Sequence, residues 1–275
     1  DSLSAEALEG IRRELGLDQP LLLQYLQYLY DLLFLKFGQT VTTGLPIAKL
    51  LADAIPITLS IALATIVLTV ALAIPLGTIA AYMAHKGHKA LDNFITGTAM
   101  LVDLMPSFWT SLVFLLFFSL TLGLFPASGP VDISDPAKFL QRIALPILVL
   151  SLSQIATIAR ITRTSVLEVL GEDYIRTARS MGWSELRVLF RHGLRNAALP
   201  IITVVGLSFG NLLNGTVIVE FIFTIPGLGS MLVNGIESRD YKLVQTLIVV
   251  YALFFVSVNF MTDLVYRKLD PRVSL

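Results

Sequence analysis

Residues 54–85 contain no Asp, Glu, Lys or Arg. A stretch that long without a formal charge has one natural home, the roughly 30 Å hydrocarbon layer of a bilayer, which about 20 apolar residues cross as a helix. Five such spans are predicted, at 56–81, 94–125, 143–167, 197–221 and 243–266. The composition agrees: 55% of the 275 residues are hydrophobic and 15% are charged, against roughly 25% charged in soluble domains. The expected fold class is therefore an all-α polytopic membrane protein, because a helix satisfies its backbone polar groups within each span. Twenty cations balance 20 anions, so no cationic surplus exists for nucleic acid and no such partner is expected. The absence of Cys excludes disulfides, Cys-ligated zinc and thiol catalysis.

Loop cations orient the spans, since short cytoplasmic loops carry the Lys/Arg excess. Lys86 and Lys89 follow the first span; Arg160, Arg163, Arg176, Arg179, Arg187, Arg191 and Arg195 follow the third; Arg267, Lys268 and Arg272 follow the last. These 12, against eight on the other side, place the intervening loops in the cytoplasm and Asp1 outside. An outside start without a leader predicts a sixth helix upstream of Asp1. Residues 1–55 read as extracytoplasmic amphipathic helices: one over 4–15, with Ser4 as N-cap and a stop at Gly16, and one over 21–37 opened by Pro20. Tyr25, Tyr28 and Tyr30 suit the headgroup level, so these helices are expected to lie on the outer face rather than cross. The tail 268–275 is expected in the cytoplasm.

The cytoplasmic loop 168–199 is too polar to span and too patterned to be a linker. Gly171 interrupts the preceding helix, and Glu172 and Asp173 supply negative charge to the N-terminus of a new helix over 174–181, which Gly182 ends. Ser184 caps a second over 184–191, and the chain re-enters the membrane at Pro200. The product is a helix, turn, helix elbow. Small Ala178 beside Gly182 would let another protein approach closely, with Arg176 and Arg179 available for charge pairing; the plainer reading is a basic loop that obeys the inside rule.

The segment GEDYIRTARSMG (171–182) resembles the EAA loop of inner-membrane permeases of binding-protein-dependent ABC importers. With RHGLRNAALP (191–200), VEFIFTIPGLGSMLV (219–233) followed by RDY and VQ, LGLDQPLLLQYLQYL (15–29) and LDPRV (269–273), it is similar to the dipeptide, oligopeptide and nickel permease family over essentially the whole chain. Aligned on Gly182, the Glu-Ala-Ala opening of the general pattern falls on Arg176, Thr177 and Ala178 and its closing Pro on Arg195, so only Ala178, Gly182 and Leu194 agree with the general form. The resemblance implies a type I ABC importer permease fold and a coupling helix at 172–182. Its coupling residues would be Glu172, Asp173, Tyr174, Arg176, Thr177, Ala178, Arg179 and Gly182. It further implies a second homologous permease subunit, one or two ABC ATPase subunits holding the ATP and magnesium, an extracytoplasmic solute-binding protein, a bacterial inner-membrane location, and di- or oligopeptides as solute. Nickel or metal-chelate complexes, or another small solute, remain the alternative within the family. The additional N-terminal helix of the family agrees with the one inferred from charge.

No Walker A pattern occurs in the chain, so by that route it is not the ATP-hydrolysing component, and it is expected to hold no cofactor or catalytic residue. The G-x-S-x-G sequence at 206–210 lies in an apolar span, where Gly206 and Gly210 read as a helix-packing face rather than a nucleophile elbow. His85, His88 and His192 are expected to hold no metal. Asp103 and Glu220 are acids in or at the ends of spans, which marks a translocation path or a structural pairing; Gln154, Ser208, Asn211 and Asn214 are further candidates for a polar lining. Pro75 and Pro106 are expected to kink helices without breaking them. An ATP-independent transporter or channel, or an intramembrane hydrolase on Ser208, are the readings from other classes.

Overall fold

The computed structural model describes residues 18–269; the helix expected over 4–15 and the chain beyond Leu269, with most of the LDPRV motif and the tail, lie outside the described residues. Among the described residues the regular structure is helical apart from one bridge between Gln39 and Pro46. The chain divides into two compact units, Asp1–Ala52 and Asp53–Leu275.

In the first unit, α1 (Leu21–Leu33) ends short of the expected residue 37 because Leu35 takes a left-handed φ of 54°, which an α-helix cannot continue. The following turn is held by Thr40, whose Oγ1 accepts the Thr43 and Leu45 N–H groups at 3.3 Å each.

Among the described residues, four helices are long and apolar enough to cross a membrane: α2 (Ile47–His85), α5 (Pro136–Leu170), α8 (Ala198–Ile222) and α10 (Tyr241–Leu269). At 39 and 35 residues, α2 and α5 reach about 58 and 52 Å at 1.5 Å per residue, well beyond the hydrocarbon layer. Their surplus turns carry the structure outside it. Asp135 starts α5 by accepting the Ala137 and Lys138 N–H groups at 3.2 Å, with Pro136 at the first helical position, where its missing N–H costs nothing.

The span expected as one piece over 94–125 is broken. α3 (Lys89–Asp103) and α4 (Ser107–Phe114, extended by a π-helical segment Leu115–Thr121) meet at 97°. Pro106 is extended, with ψ 137°; its ring also disfavours helical geometry at Met105, so the chain restarts rather than bends. Pro75, by contrast, stays inside a continuous α2. The remaining helices are α6 (Asp173–Ser180), α7 (Glu185–Arg187, extended by a π-helical segment Val188–Leu194) and α9 (Leu228–Glu237).

Two apolar clusters anchor opposite ends of this unit. One joins Ile57 and Ile61 of α2, Ile143, Leu145 and Leu150 of α5, Leu212 of α8 and Phe223. The other joins Ala81 of α2 and Val166 and Leu170 of α5 to the elbow.

Polar groups lock the first end. Arg142 is 3% exposed. Its guanidinium donates to the carbonyl oxygens of Gly129, Ala127 and Phe223 and to Thr224 Oγ1 at 3.0 Å, which fastens the loop before α5 to the end of α8. Glu220, fully buried, accepts the Gly229 N–H at 2.7 Å, while Thr58 Oγ1 accepts that of Leu228 at 2.9 Å. The first two amides of α9 have no intrahelical partner, so a carboxylate from α8 and a hydroxyl from α2 cap α9 from outside, with the favourable sign at the helix N-terminus. Glycine is required at 229: a Cβ there would overlap the Cα of Val217.

Arg142→Ala should lower stability by about 3 kcal/mol, because several buried carbonyls lose their donor together. Thermal unfolding in micelles reads this, and Arg142→Lys, a compact ammonium with no planar fork, should recover less than half. An unchanged melting temperature for Arg142→Ala would refute the hub assignment.

Candidate functional site

The elbow begins where α5 stops at Gly171. Glu172 adopts an extended N-cap conformation and Asp173 lies in the first turn of α6. At the far end Gly182 has φ 79°; its N–H donates to the Arg179 carbonyl at 2.9 Å, and the Trp183 N–H to that of Ala178 at 3.3 Å. This is the Schellman termination that favours Gly at that position. Ser184 stands at the next N-cap, but its side chain makes no capping bond, and regular helix lasts only through Arg187 before widening into the π-helical segment.

The structure corrects the expected orientation of α6. Ala178 is not on the partner-facing side: with Ile175 it is buried in the inner cluster against Val188, Leu189, Val166 and Leu170. Positions three apart share a helix face, and here the small residue lets the elbow close on its own chain. Arg179 is also turned inward. It lies 2.9 Å from His85 Nε2 and 3.2 Å from Glu185 Oε1, and Glu185 in turn pairs with Lys86 at 3.7 Å. These contacts tie α6 and α7 to the C-terminal end of α2. What remains exposed on α6 is Asp173, Tyr174, Arg176, Thr177 and Ser180, flanked by exposed Glu172, Met181 and Gly182.

A pair of ion pairs extends the same clamp along α3. Arg163 makes a two-pronged contact with Asp92, and Arg160 pairs with Asp103 at 3.2 Å, where Thr157 Oγ1 also donates to Asp103 at 3.0 Å. Asp103 thus serves as a tie between α3 and α5. The Asp92–Arg163 pair escaped the sequence reading because Asp92 sits just inside a charged loop, where a lone carboxylate looks solvated.

The other candidates for the path separate. Gln154 of α5 and Asn211 of α8 come together on a cavity of about 180 Å³, with Ser153, Ser107 and Thr110, beside the Pro106 break. Asn214 lies instead on a shallow groove of about 420 Å³ with Tyr251 and Phe255. Ser208 is buried and lines neither. Glu220 is buried and caps α9. Gly206 and Gly210 abut Thr262 and Phe255 of α10, so the G-x-S-x-G sequence is a helix contact with no strand-to-helix turn. The His192 ring lies 4.8 Å from that of Trp183, tilted by 49°.

Residues 73–275, which include the elbow, both Asp–Arg ties and the polar cavity, match the family model described as binding-protein-dependent transport system inner membrane component. The chain belongs to this family. It is 37% identical over 263 residues to the oligopeptide transport system permease protein AppB of Bacillus subtilis (strain 168), covering 94% of this chain and 82% of that one. It is 35% identical over 295 residues to the dipeptide transport system permease protein DppB of Escherichia coli (strain K12), covering 98% and 86%. A solved chain of the MetNI methionine ABC transporter, in inward facing conformations, matches with a TM-score of 0.68 over 82% of this chain and 98% of that one, at 15% identity. The permease therefore has the type I ABC importer permease fold, and it is an inner-membrane component.

The inward packing of α6 makes a position-specific prediction for this permease. Ala178→Phe should overpack the inner cluster, by about 1–3 kcal/mol, and trypsin should then cut after Arg176 and Arg179 at least several-fold faster. Thr177→Phe, one position away on the exposed face, should leave the cleavage rate near that of the parent. Equal sensitivity at the two positions would contradict the assigned orientation.

Proposed function

We propose that this permease forms half of the translocation path of an ATP-driven ABC importer for di- or oligopeptides, in the bacterial inner membrane. A second, similar permease chain supplies the other half. One or two ATPase subunits, which hold ATP and magnesium, grip the exposed face of α6, and an extracytoplasmic binding protein delivers the solute. The observation that carries this reading is the elbow. The outer face of α6 carries Asp173, Arg176 and Thr177 and bonds only to residues within the elbow, including Asn196 Nδ2 to the Tyr174 hydroxyl at 2.9 Å, while its inner face is packed on the ends of two spans. A displacement applied to Glu172–Met181 is then delivered to α2 and α5 rather than absorbed. Coupling needs only that ATP and the docked binding protein favour one arrangement of the spans by a few kcal/mol over the other.

The peptide assignment is supported by the relatives named for oligopeptides and dipeptides and by the cavity chemistry. Gln154 and Asn211 each offer a carbonyl acceptor and an amide donor, which complement the C=O and N–H of a peptide backbone without selecting side-chain charge.

Arg176→Glu combined with Met181→Asp should leave the fold intact and reduce co-purification of the ATPase subunits at least tenfold. In reconstituted complexes a peptide-loaded binding protein should raise ATP hydrolysis, a nickel-loaded one should not, and Gln154→Leu with Asn211→Leu should lower peptide uptake without loss of the ATPase subunits. Solute exchange by the purified permease without any ATPase would overturn the reading.

A further inference from the structure

The elbow has a second exposed surface that the coupling role leaves unused. Along 185–197 the buried positions are Val188, Leu189, Gly193 and Ala197. The opposite side carries two parallel rows. One is basic: Arg187, Arg191 and Arg195, spaced four apart and exposed. The other is apolar: Leu186 and Phe190, 65% and 58% exposed. None of the three arginines has a carboxylate partner among the described residues, since Glu185 is held by Arg179 and Lys86. Arg187 and Arg191 hold their guanidinium groups 5.8 and 6.0 Å from the Trp183 ring.

We propose that this face binds the headgroup phosphate of anionic phospholipid, with Leu186 and Phe190 entering the boundary between headgroups and acyl chains. Three observations favour lipid over a protein partner. The segment passes directly into the span α8 at Ala198, so it stays beside the hydrocarbon edge. Exposed Leu and Phe next to an Arg row and a Trp is the side-chain pattern of a helix lying in the interface. The row carries a single sign of charge, which complements an anionic surface, whereas the exposed face of α6 mixes Glu172 and Asp173 with Arg176. A lipid held here would brace the elbow against the bilayer from below while the inner cluster braces it against the spans.

Trp183 reports directly on this contact, because Trp109 is the one other tryptophan. The full complex carrying Trp109→Phe is placed in bilayers with increasing fractions of brominated phosphatidylglycerol or brominated phosphatidylcholine, and the signal of a matched complex that also carries Trp183→Phe is subtracted to remove the tryptophans of the other subunits. Phosphatidylglycerol should quench Trp183 at a lower mole fraction. Each of Arg187→Gln and Arg191→Gln should raise its half-quenching fraction about fivefold, and Arg→Lys at the same positions should restore much of the difference. Equal quenching by both lipids, or by neither, would overturn the proposal. So would loss of the ATPase subunits from the Arg→Gln variants with phosphatidylglycerol quenching unchanged, which would assign the face to the ATPase.

Discussion

The apolar seam between the elbow and the inner ends of α2 and α5 is the contact on which the rest of the mechanism depends. Ile175, Ala178, Val188 and Leu189 meet Ala81, Val166 and Leu170 there with almost no exposed area. Burying an aliphatic side chain of this size contributes about 1.5–3 kcal/mol, so a handful of them outweighs the ordering of a short polar loop. Without the seam, α6 would be a tethered helix that moves freely under load. With it, the elbow and the span ends form one body, and the ties from Arg179 and Glu185 to His85 and Lys86 extend that body to the start of α3.

The same logic governs the opposite end. Arg142 and Glu220 are both buried and charged in character, and neither is paired with the other's sign. Arg142 is held by carbonyl oxygens, and one oxygen of Glu220 accepts an amide at the first turn of α9, while Glu220 Oε1 has no hydrogen-bond partner among the described residues. Loops and a short helix are thus pinned to the spans by side chains that cost free energy to bury unless those bonds are made. Between the two fixed ends lie the Pro106 break and the Gln154–Asn211 cavity. Rigid ends around a broken central span are a suitable frame for a gate.

Much of this was legible in the sequence, for physical reasons that also mark where legibility stops. Charge exclusion over 54–85 announced the first span, because an unpaired charge in the hydrocarbon layer is costly. Gly171 and Gly182 punctuated the elbow, since a helix must stop where the chain must turn. Ala178 was misread: smallness shows that something approaches closely, not whether it is a partner or the chain's own core. Glu220 was open for the same reason, as its capping partner Gly229 is read only once α9 is placed. Pro106 was expected to bend a helix, and whether a proline bends or breaks depends on whether neighbours can satisfy the freed groups. The Arg142 hub had only its place at the edge of an apolar run to recommend it.

The most direct test of the central claim is the distance from the elbow to the span it is packed on, measured during the cycle. The chain lacks Cys, so spin labels at Thr177→Cys and Thr164→Cys, both exposed positions, report on α6 relative to α5 by pulsed electron resonance. The account predicts the same distance distribution in the nucleotide-free complex and in the ATP-trapped one. A shift beyond the width of the distribution, or broadening in either state, would show that the elbow flexes on the spans and would contradict it.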